Sequence, residues 1–300
     1  MVGLMSSKGE DIGERYPSRI IDWHGALGID SAIALGNPSF CGLDDGNRLV
    51  SIRQFNYVLN FGRDKHYDFK QGFFKGRANY FVITDKEFNF IRKVECKFEK
   101  LWGCEDLRLL RFGDIFQASG TDESFGPNKH RPGCWNFRFI NGQEVLGLES
   151  YRIFDIRMDK NYIPVEGRKE WFISNLRGGA FDHISSQGGR KERQPCKGLV
   201  PYRGSTQLLS YNGGYVAIVH HRRGDNFRHA FAFFSHDLSS CRISDEFLVF
   251  GDKDPTCFTC GMSIEDGKAV VLFCLNDQIT YLFHLPIEEF EKTAKPRGKA

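Results

Sequence analysis

Residues 203–235 read RGSTQLLSYNGGYVAIVHHRRGDNFRHAFAFFS, and this stretch decides the fold class. Ser205–Ser210, Tyr215–His220 and His229–Ser235 read as strand-like segments, too short for ordinary helices. Asn212–Gly213–Gly214 is a hairpin signal, because a type I′ turn needs positive φ at both central residues.

The same pattern recurs outward in both directions. Arg48–Tyr57, Ala78–Thr84, Leu107–Ala118, Trp135–Ile140, Ala269–Leu275 and Ile279–Leu285 read as strands bounded by Gly, Asn or Asp. Asp266–Gly267 is a second hairpin turn. Ile287–Lys292 and Leu27–Leu35 read as short helices. Ser174–Lys197 is polar and Gly-rich and reads as an exposed loop, and KTAKPRGKA at 292–300 as a solvated basic tail.

Composition agrees. Among 300 residues are 28 Phe, 10 Tyr, 4 Trp and 32 Gly but 4 Met, which favours strands and turns. The balance of 41% hydrophobic and 26% charged residues excludes disorder, collagen and coiled coil. A net charge of +3 is too small for a nucleic-acid footprint, and no apolar run is long enough for a membrane-spanning helix. The first nineteen residues lack the apolar core of a secretory signal. Nine scattered cysteines therefore read as reduced thiols of a cytoplasmic protein. Cys257–Cys260 is the sole CxxC and lacks a second ligand pair nearby, so it reads as buried strand thiols rather than a zinc site.

No composition shift divides the chain. The reading is an all-β fold: an N-terminal extension over 1–36, one β-propeller domain over 37–290, and a basic tail over 291–300. Five blades of about 60 residues fit the length, although no repeat is visible as sequence identity.

Three places carry polar chemistry. In GCEDLRL, Gly103–Leu109, an extended strand puts Asp106 and Arg108 on one face and Glu105 on the other. Spacing alone reads this as a turn carboxylate in a structural salt bridge; the functional alternative has Arg108 steadying Asp106 or touching a substrate oxygen. Tyr202–Gln207 with Val219–His229 brings three histidines and four arginines to one sheet end, donors suited to phosphate or sugar hydroxyls. Of these, Arg222 and Arg223 read as solvated loop, while His220 ends an apolar strand and is placed to point inward. Asp277, after AVVLFCL, either faces a cleft or fills an ordinary turn.

In this order the segments resemble the five-bladed β-propeller glycosidases and phosphorylases of glycoside hydrolase family 130 and the related β-1,2-mannosyltransferases. Asn37–Pro38–Ser39 is similar to the opening of the family's first blade, and Arg53 to the arginine ending that blade's inner strand. Gly103-Cys-Glu-Asp-Leu-Arg108 resembles Gly-x-Glu-Asp-Pro-Arg, and Arg168-Lys-Glu-Trp171 resembles Glu-Lys-Asn-Trp. Asn212–Tyr215 leading into His220–His221, and Phe273–Asp277, resemble the later blades. Related sugar-enzyme propellers carry Arg-x-x-Asn-Tyr, Glu-Asp-x-Arg and Arg-Gly-Ser-Thr-Gln, here Arg53–Tyr57, Glu105–Arg108 and Arg203–Gln207.

The resemblance implies an axial cleft in which Asp106 is the general acid of an inverting reaction, its proton relayed through a sugar hydroxyl. It implies phosphate, where phosphate is the co-substrate, held by Arg53 or Arg108, Lys169 and His220. It offers Glu170 or Asp277 as the base of a hydrolase. Asn56, Glu105, Arg203, Gln207, Arg228, His229 and Asp277 complete the expected substrate contacts. Leu107, Glu170 and His221 depart from the family's proline, asparagine and glycine. The implied partners are an oligosaccharide or sugar phosphate, with no metal, cofactor, nucleic acid or membrane. Two rivals stand beside this: a glycan- or partner-binding propeller without catalysis, and a sugar-phosphate-dependent transferase using the His220–His229 cluster. Asp252–Lys253–Asp254 has the spacing of a metal motif but reads as a polar turn.

Overall fold

The computed structural model describes residues 10–31, 33–55, 58–59, 67–68, 79–97, 104–122, 131–142, 144–154, 162–169, 171–175, 180–185, 190–195, 202–223, 226–251 and 257–296. The described chain opens with β1 (Glu10–Asp11), α1 (Ile12–Arg15), β2 (Ser18–Ile21) and α2 (His24–Leu27). Next come β3 (Leu35–Gly42), β4 (Arg48–Gln54), the small pair β5 (Val58–Leu59) and β6 (Tyr67–Asp68), β7 (Asn79–Thr84) and β8 (Phe90–Cys96). A second meander is β9 (Cys104–Phe112), β10 (Ile115–Asp122), β11 (Arg131–Phe139) and β12 (Val145–Ile153). It is followed by β13 (Tyr162–Pro164), β14 (Trp171–Asn175), β15 (Ala180–Ser185) and β16 (Arg190–Pro195). Then come β17 (Arg203–Gly204), β18 (Leu209–Tyr211), β19 (Gly214–Arg223), β20 (Asn226–Phe234), β21 (Cys241–Ile243) and β22 (Phe247–Leu248). The last elements are β23 (Cys257–Glu265), β24 (Lys268–Leu275), β25 (Ile279–Pro286) and α3 (Ile287–Thr293).

The fold is all-β. Strands β3-β4-β7-β8 and β9-β10-β11-β12 are antiparallel sets joined by a two-residue parallel pairing of β8 with β12. Strands β13–β16 make a separate four-stranded sheet. β17 and β18 both pair with β19, β20 lies on its other side, and β1 adds at the β22 edge. β23, β24 and β25 are completed by β2, which comes from the start of the chain. No helix among the described residues is long and apolar enough to cross a membrane.

Period-two alternation explains how continuous apolar strands are used. On β24, Val271 and Phe273 join a cluster with Val216, Ile218 and Phe231, while Val270 and Leu272 join another with Val50, Ile52 and Val82. On β19, Val216 and Ile218 face β24 and β25, while Tyr215, Ala217 and Val219 pack on Ile163 and Val165. Each such sheet is therefore covered on both faces by its neighbours, which is why its strands read as unbroken apolar runs. Much of the Phe surplus lies here, in Phe231, Phe233, Phe247, Phe273 and Phe283.

Asn212–Gly213 and Asp266–Gly267 form the expected hairpin turns, with φ of 46°, 74°, 48° and 74°. Five expectations are corrected. Leu107–Ala118 is two strands, turned at Gly113–Asp114, where Gly113 takes φ 63°. Ser205–Ser210 is interrupted, with strand on either side of Ser205–Gln207. Leu27–Leu35 is not a helix: α2 ends at Leu27, capped by Gly28 at φ 65°. The Ser174–Lys197 loop contains β15 and β16, because main-chain ladders admit polar residues that leave no apolar period to read. The basic tail is partly structured, since α3 runs to Thr293 and Lys295 bridges to Ile243. The reading of all nine cysteines as reduced thiols is also corrected: Cys241 is disulfide-bonded, while Cys41, Cys96, Cys104, Cys134, Cys257, Cys260 and Cys274 are free.

Candidate active site

A repeated irregularity builds the site. Each of β3, β9 and β23 carries a bulge shortly after its start, at Asn37–Pro38, Asp106–Leu107 and Thr259–Cys260. In the same place beside β17, the amides of Ser205 and Thr206 both donate to the Ile218 carbonyl. A bulge adds a residue to one strand, breaks the in–out alternation and re-aims a side chain. Asn37, Asp106 and Asp277 adopt left-handed φ of 47°, 51° and 54°, a conformation Asn and Asp tolerate better than other non-glycine residues.

The bulge overturns the expected split of Glu105 and Asp106 between two faces. Both carboxylates reach one guanidinium: Arg53 Nη2 donates to Glu105 Oε1 at 2.6 Å, and Arg53 Nη1 stands 3.7 Å from Asp106 Oδ1. Asn37 Nδ2 donates to the same Asp106 oxygen at 3.0 Å. Arg53 and Glu105 are buried, whereas the Asp106 side chain keeps 18% exposure. Asp106 is thus a carboxylate fixed from behind and open in front. Arg108 does not steady that carboxylate directly. It is buried, and donates through Nη1 to the Asp106 carbonyl and through Nε to the Ser205 carbonyl, so it ties β9 to the segment after β17.

Ser205 Oγ shares a hydrogen bond with Nδ1 of His220, whose ring packs edge-on against Phe258 at the start of β23. His220 does point inward, as expected, and is buried. Burial first, then the neighbouring His229, Arg108 and Arg203 charges, hold it well below the usual histidine range, so it is neutral. His229 pairs with His220 across β19 and β20, and stacks on Phe273 at 5.1 Å. It is fully buried, neither ring nitrogen has a partner among the described residues, and burial lowers its pKa to about 3. Beneath the cluster, burial drives the Cys260 thiol well above its ordinary value, with Arg108, Asp106 and Arg53 close enough to feel it.

The opposite face of β19 carries a residue the sequence did not signal. Glu246 accepts from the Tyr202 hydroxyl at 2.5 Å, lies 3.0 Å from His221 Nε2 and 3.8 Å from Arg228 Nη1. Arg228 therefore serves this second carboxylate. A single glutamate in SDEFLVF has no local pattern, and these three partners lie at least 18 positions away.

The remaining expected residues divide. Arg203 pairs with His220 in register and is exposed at this end. Asp277 is here too, its carbonyl 3.1 Å from where a Cβ on Gly36 would stand. Gln207 is buried and committed to main chain, donating to the Phe40 and Leu109 carbonyls and accepting from the Met262 amide. Lys169 is not brought to the cluster. Its turn adjoins Tyr215 and His236, through Arg168, at the other end of β19 from His220, about 17 Å along the strand. Arg222 and Arg223 are exposed, as expected. Asn56, Glu170 and Asp252–Asp254 lie outside the described residues.

No protein-family model matches this chain, and no curated protein matches it by sequence. Solved structures do match its fold. The β-1,2-mannobiose phosphorylase of Listeria innocua, solved with β-1,2-mannobiose, superposes with a TM-score of 0.58 at 11% identity, covering 92% of this chain and 98% of its own. The mannose phosphorylase MPT-4 of Leishmania mexicana, solved with a phosphate ion, gives 0.52 at 11% identity, covering 86% of each chain. The GDP-Man-dependent mannosyltransferase MPT-1 of the same organism gives 0.50 at 12% identity, covering 85% of this chain and 86% of its own. At these identities the likeness is one of fold.

Proposed function

We propose that this chain is a carbohydrate-active enzyme that breaks or makes a glycosidic bond, a β-mannoside by structural likeness, in the axial cleft of a five-bladed β-propeller. The blades are β3-β4-β7-β8, β9–β12, β13–β16, the sheet around β19, and β23–β25 closed by β2. Shared apolar clusters between neighbouring sheets, and the contact of β13 with β9 and β10, support that count.

The observation that carries the function is Asp106: bulge-aimed, held by Asn37 and Arg53, and open to solvent where β3, β9, β17 and β23 begin. In the reaction Asp106 gives its proton to the leaving glycosidic oxygen, directly or through a sugar hydroxyl. The C–O bond breaks, and the incoming oxygen attaches to the anomeric carbon from the opposite side, inverting it. Asp277 takes the incoming proton or binds a sugar hydroxyl, and Arg203 contacts the sugar. Arg53, Glu105 and Arg108 position Asp106.

The cations also favour one incoming group. Phosphate needs convergent charged donors. Arg53 faces two carboxylates, Arg108 donates to two main-chain carbonyls, Lys169 stands at the other end, and His220 is neutral. None of these four is a charged donor open to the cleft, which favours water or a sugar hydroxyl over inorganic phosphate; the exposed Arg203 beside them contacts the sugar. The test is incubation with β-1,2-mannobiose, with and without phosphate, and chromatography of the products. Mannose formed without phosphate, and reduced by about 10²-fold or more in Asp106→Asn at unchanged thermal stability, is the expected result. Mannose 1-phosphate formed only with phosphate overturns the choice of co-substrate. Full activity of Asp106→Asn overturns its role. Saturable sugar binding with no turnover moves the protein to a glycan-binding module.

A further inference from the structure

At the end of β19 remote from Asp106, two cavities of about 500 and 450 Å³ meet at Glu166 and Ser210. Polar groups of the first are fixed in place with bonding capacity left over. Glu166 Oε2 accepts the Ser210 amide at 2.7 Å, and Oε1 has no partner among the described residues. Arg168 donates Nε to the Tyr215 hydroxyl at 3.1 Å and Nη2 to the His236 carbonyl at 2.6 Å, and Nη1 has no partner among the described residues. The guanidinium lies over the Tyr215 ring at 5.4 Å, and the exposed His236 ring stacks on the same tyrosine at 5.9 Å and 21°. Tyr215 is itself buried, so this stack is seated on the core.

A sugar hydroxyl both donates and accepts, so neighbouring hydroxyls match a carboxylate oxygen beside a guanidinium N–H. The apolar C–H face of a pyranose matches an exposed ring. Glu166 and Arg168 offset one another in charge, which removes the advantage an anion would have. We infer that Glu166, Arg168 and His236 form a second, non-catalytic oligosaccharide-binding site, about one strand length from Asp106. The choice of a sugar among polar ligands rests on the carbohydrate reading above; the site itself does not depend on catalysis.

Titration calorimetry with β-1,2-linked mannotetraose, on protein carrying Asp106→Asn so that the probe is not consumed, counts the sites. Glu166→Gln keeps an acceptor for the Ser210 amide and turns the open acceptor into a donor; His236→Ala removes the exposed ring. The expected result is that the pair weakens one site by about tenfold or more. The same pair on the native background leaves mannobiose turnover within about twofold. Unchanged stoichiometry and affinity in the pair, at unchanged thermal stability, overturns the site. Glu166→Gln alone serves the same purpose if the pair unfolds. The two readings fail separately: loss of a site from a protein without turnover keeps this one and removes the enzyme, and turnover with unaltered binding does the reverse.

Discussion

Replacing His229 by phenylalanine removes the acid sensitivity that a dry, neutral imidazole imposes on the fold. An imidazole in the unfolded chain takes up a proton near pH 6.5, whereas His229 in the fold resists until about 3. Between those values the unfolded state binds one more proton than the folded one, so stability falls as pH falls. The contribution is whole above about pH 6.5 and declines by about 1.4 kcal/mol per pH unit below it. At pH 5 the loss from this one residue is about 2 kcal/mol. His220 is displaced in the same direction, first by its own burial, which the substitution leaves in place, and only secondarily by His229. The assay is urea unfolding at pH 7 and pH 5, followed by tryptophan fluorescence, for the native chain and His229→Phe. The packing change from the larger ring is the same at both pH values and cancels. The native protein is expected to lose about 2 kcal/mol more than the variant over this interval. Equal losses would refute the premise that His229 is buried, uncharged and cut off from water.

Glu105→Gln leaves Arg53 buried with Asp106 as its remaining described carboxylate, at 3.7 Å. It is expected to destabilise by roughly 3 kcal/mol and lower the melting temperature by about 5 °C, read by calorimetry; an unchanged melting temperature would show the pair to be dispensable. Gln207→Leu strips partners from the Phe40 and Leu109 carbonyls and the Met262 amide, which belong to β3, β9 and β23. Its expected cost is about 3 kcal/mol in urea unfolding, and a loss below about 1 kcal/mol would mean these strands are not pinned through this amide.

What the sequence showed was whatever local chemistry controls. Asn212–Gly213 and Asp266–Gly267 were readable because their conformations require those residues. Gly113–Asp114 carried a similar signal but sat between Phe112 and Ile115, so the apolar pattern ran straight through the turn. Arg53, Glu105 and Asp106 were found by motif, yet their convergence depends on a bulge, which is a property of strand pairing and not of composition. Lys169 matched its motif and still stands at the wrong end, because a short motif fixes neither its turn's direction nor its neighbours. Glu246 was invisible for the complementary reason: its described partners, Tyr202, His221 and Arg228, come from elsewhere in the chain. The internal repeat lies in register alone, at Asn37–Pro38, Asp106–Leu107, Ser205–Thr206 and Thr259–Cys260, four dipeptides that share no residue at either position.

The pairing of β2 with β25 sets a timetable for synthesis. Ile21 leaves the ribosome roughly 260 residues before its partner Thr280 does. At ordinary translation rates that interval is about 10–50 s. Throughout it β2 is a strand without its ladder, and Ile20, still solvent-exposed in the finished protein, stands on it. The last sheet therefore closes only once β25 has emerged, and a nascent chain interrupted before β25 carries β2 and β24 as open edges.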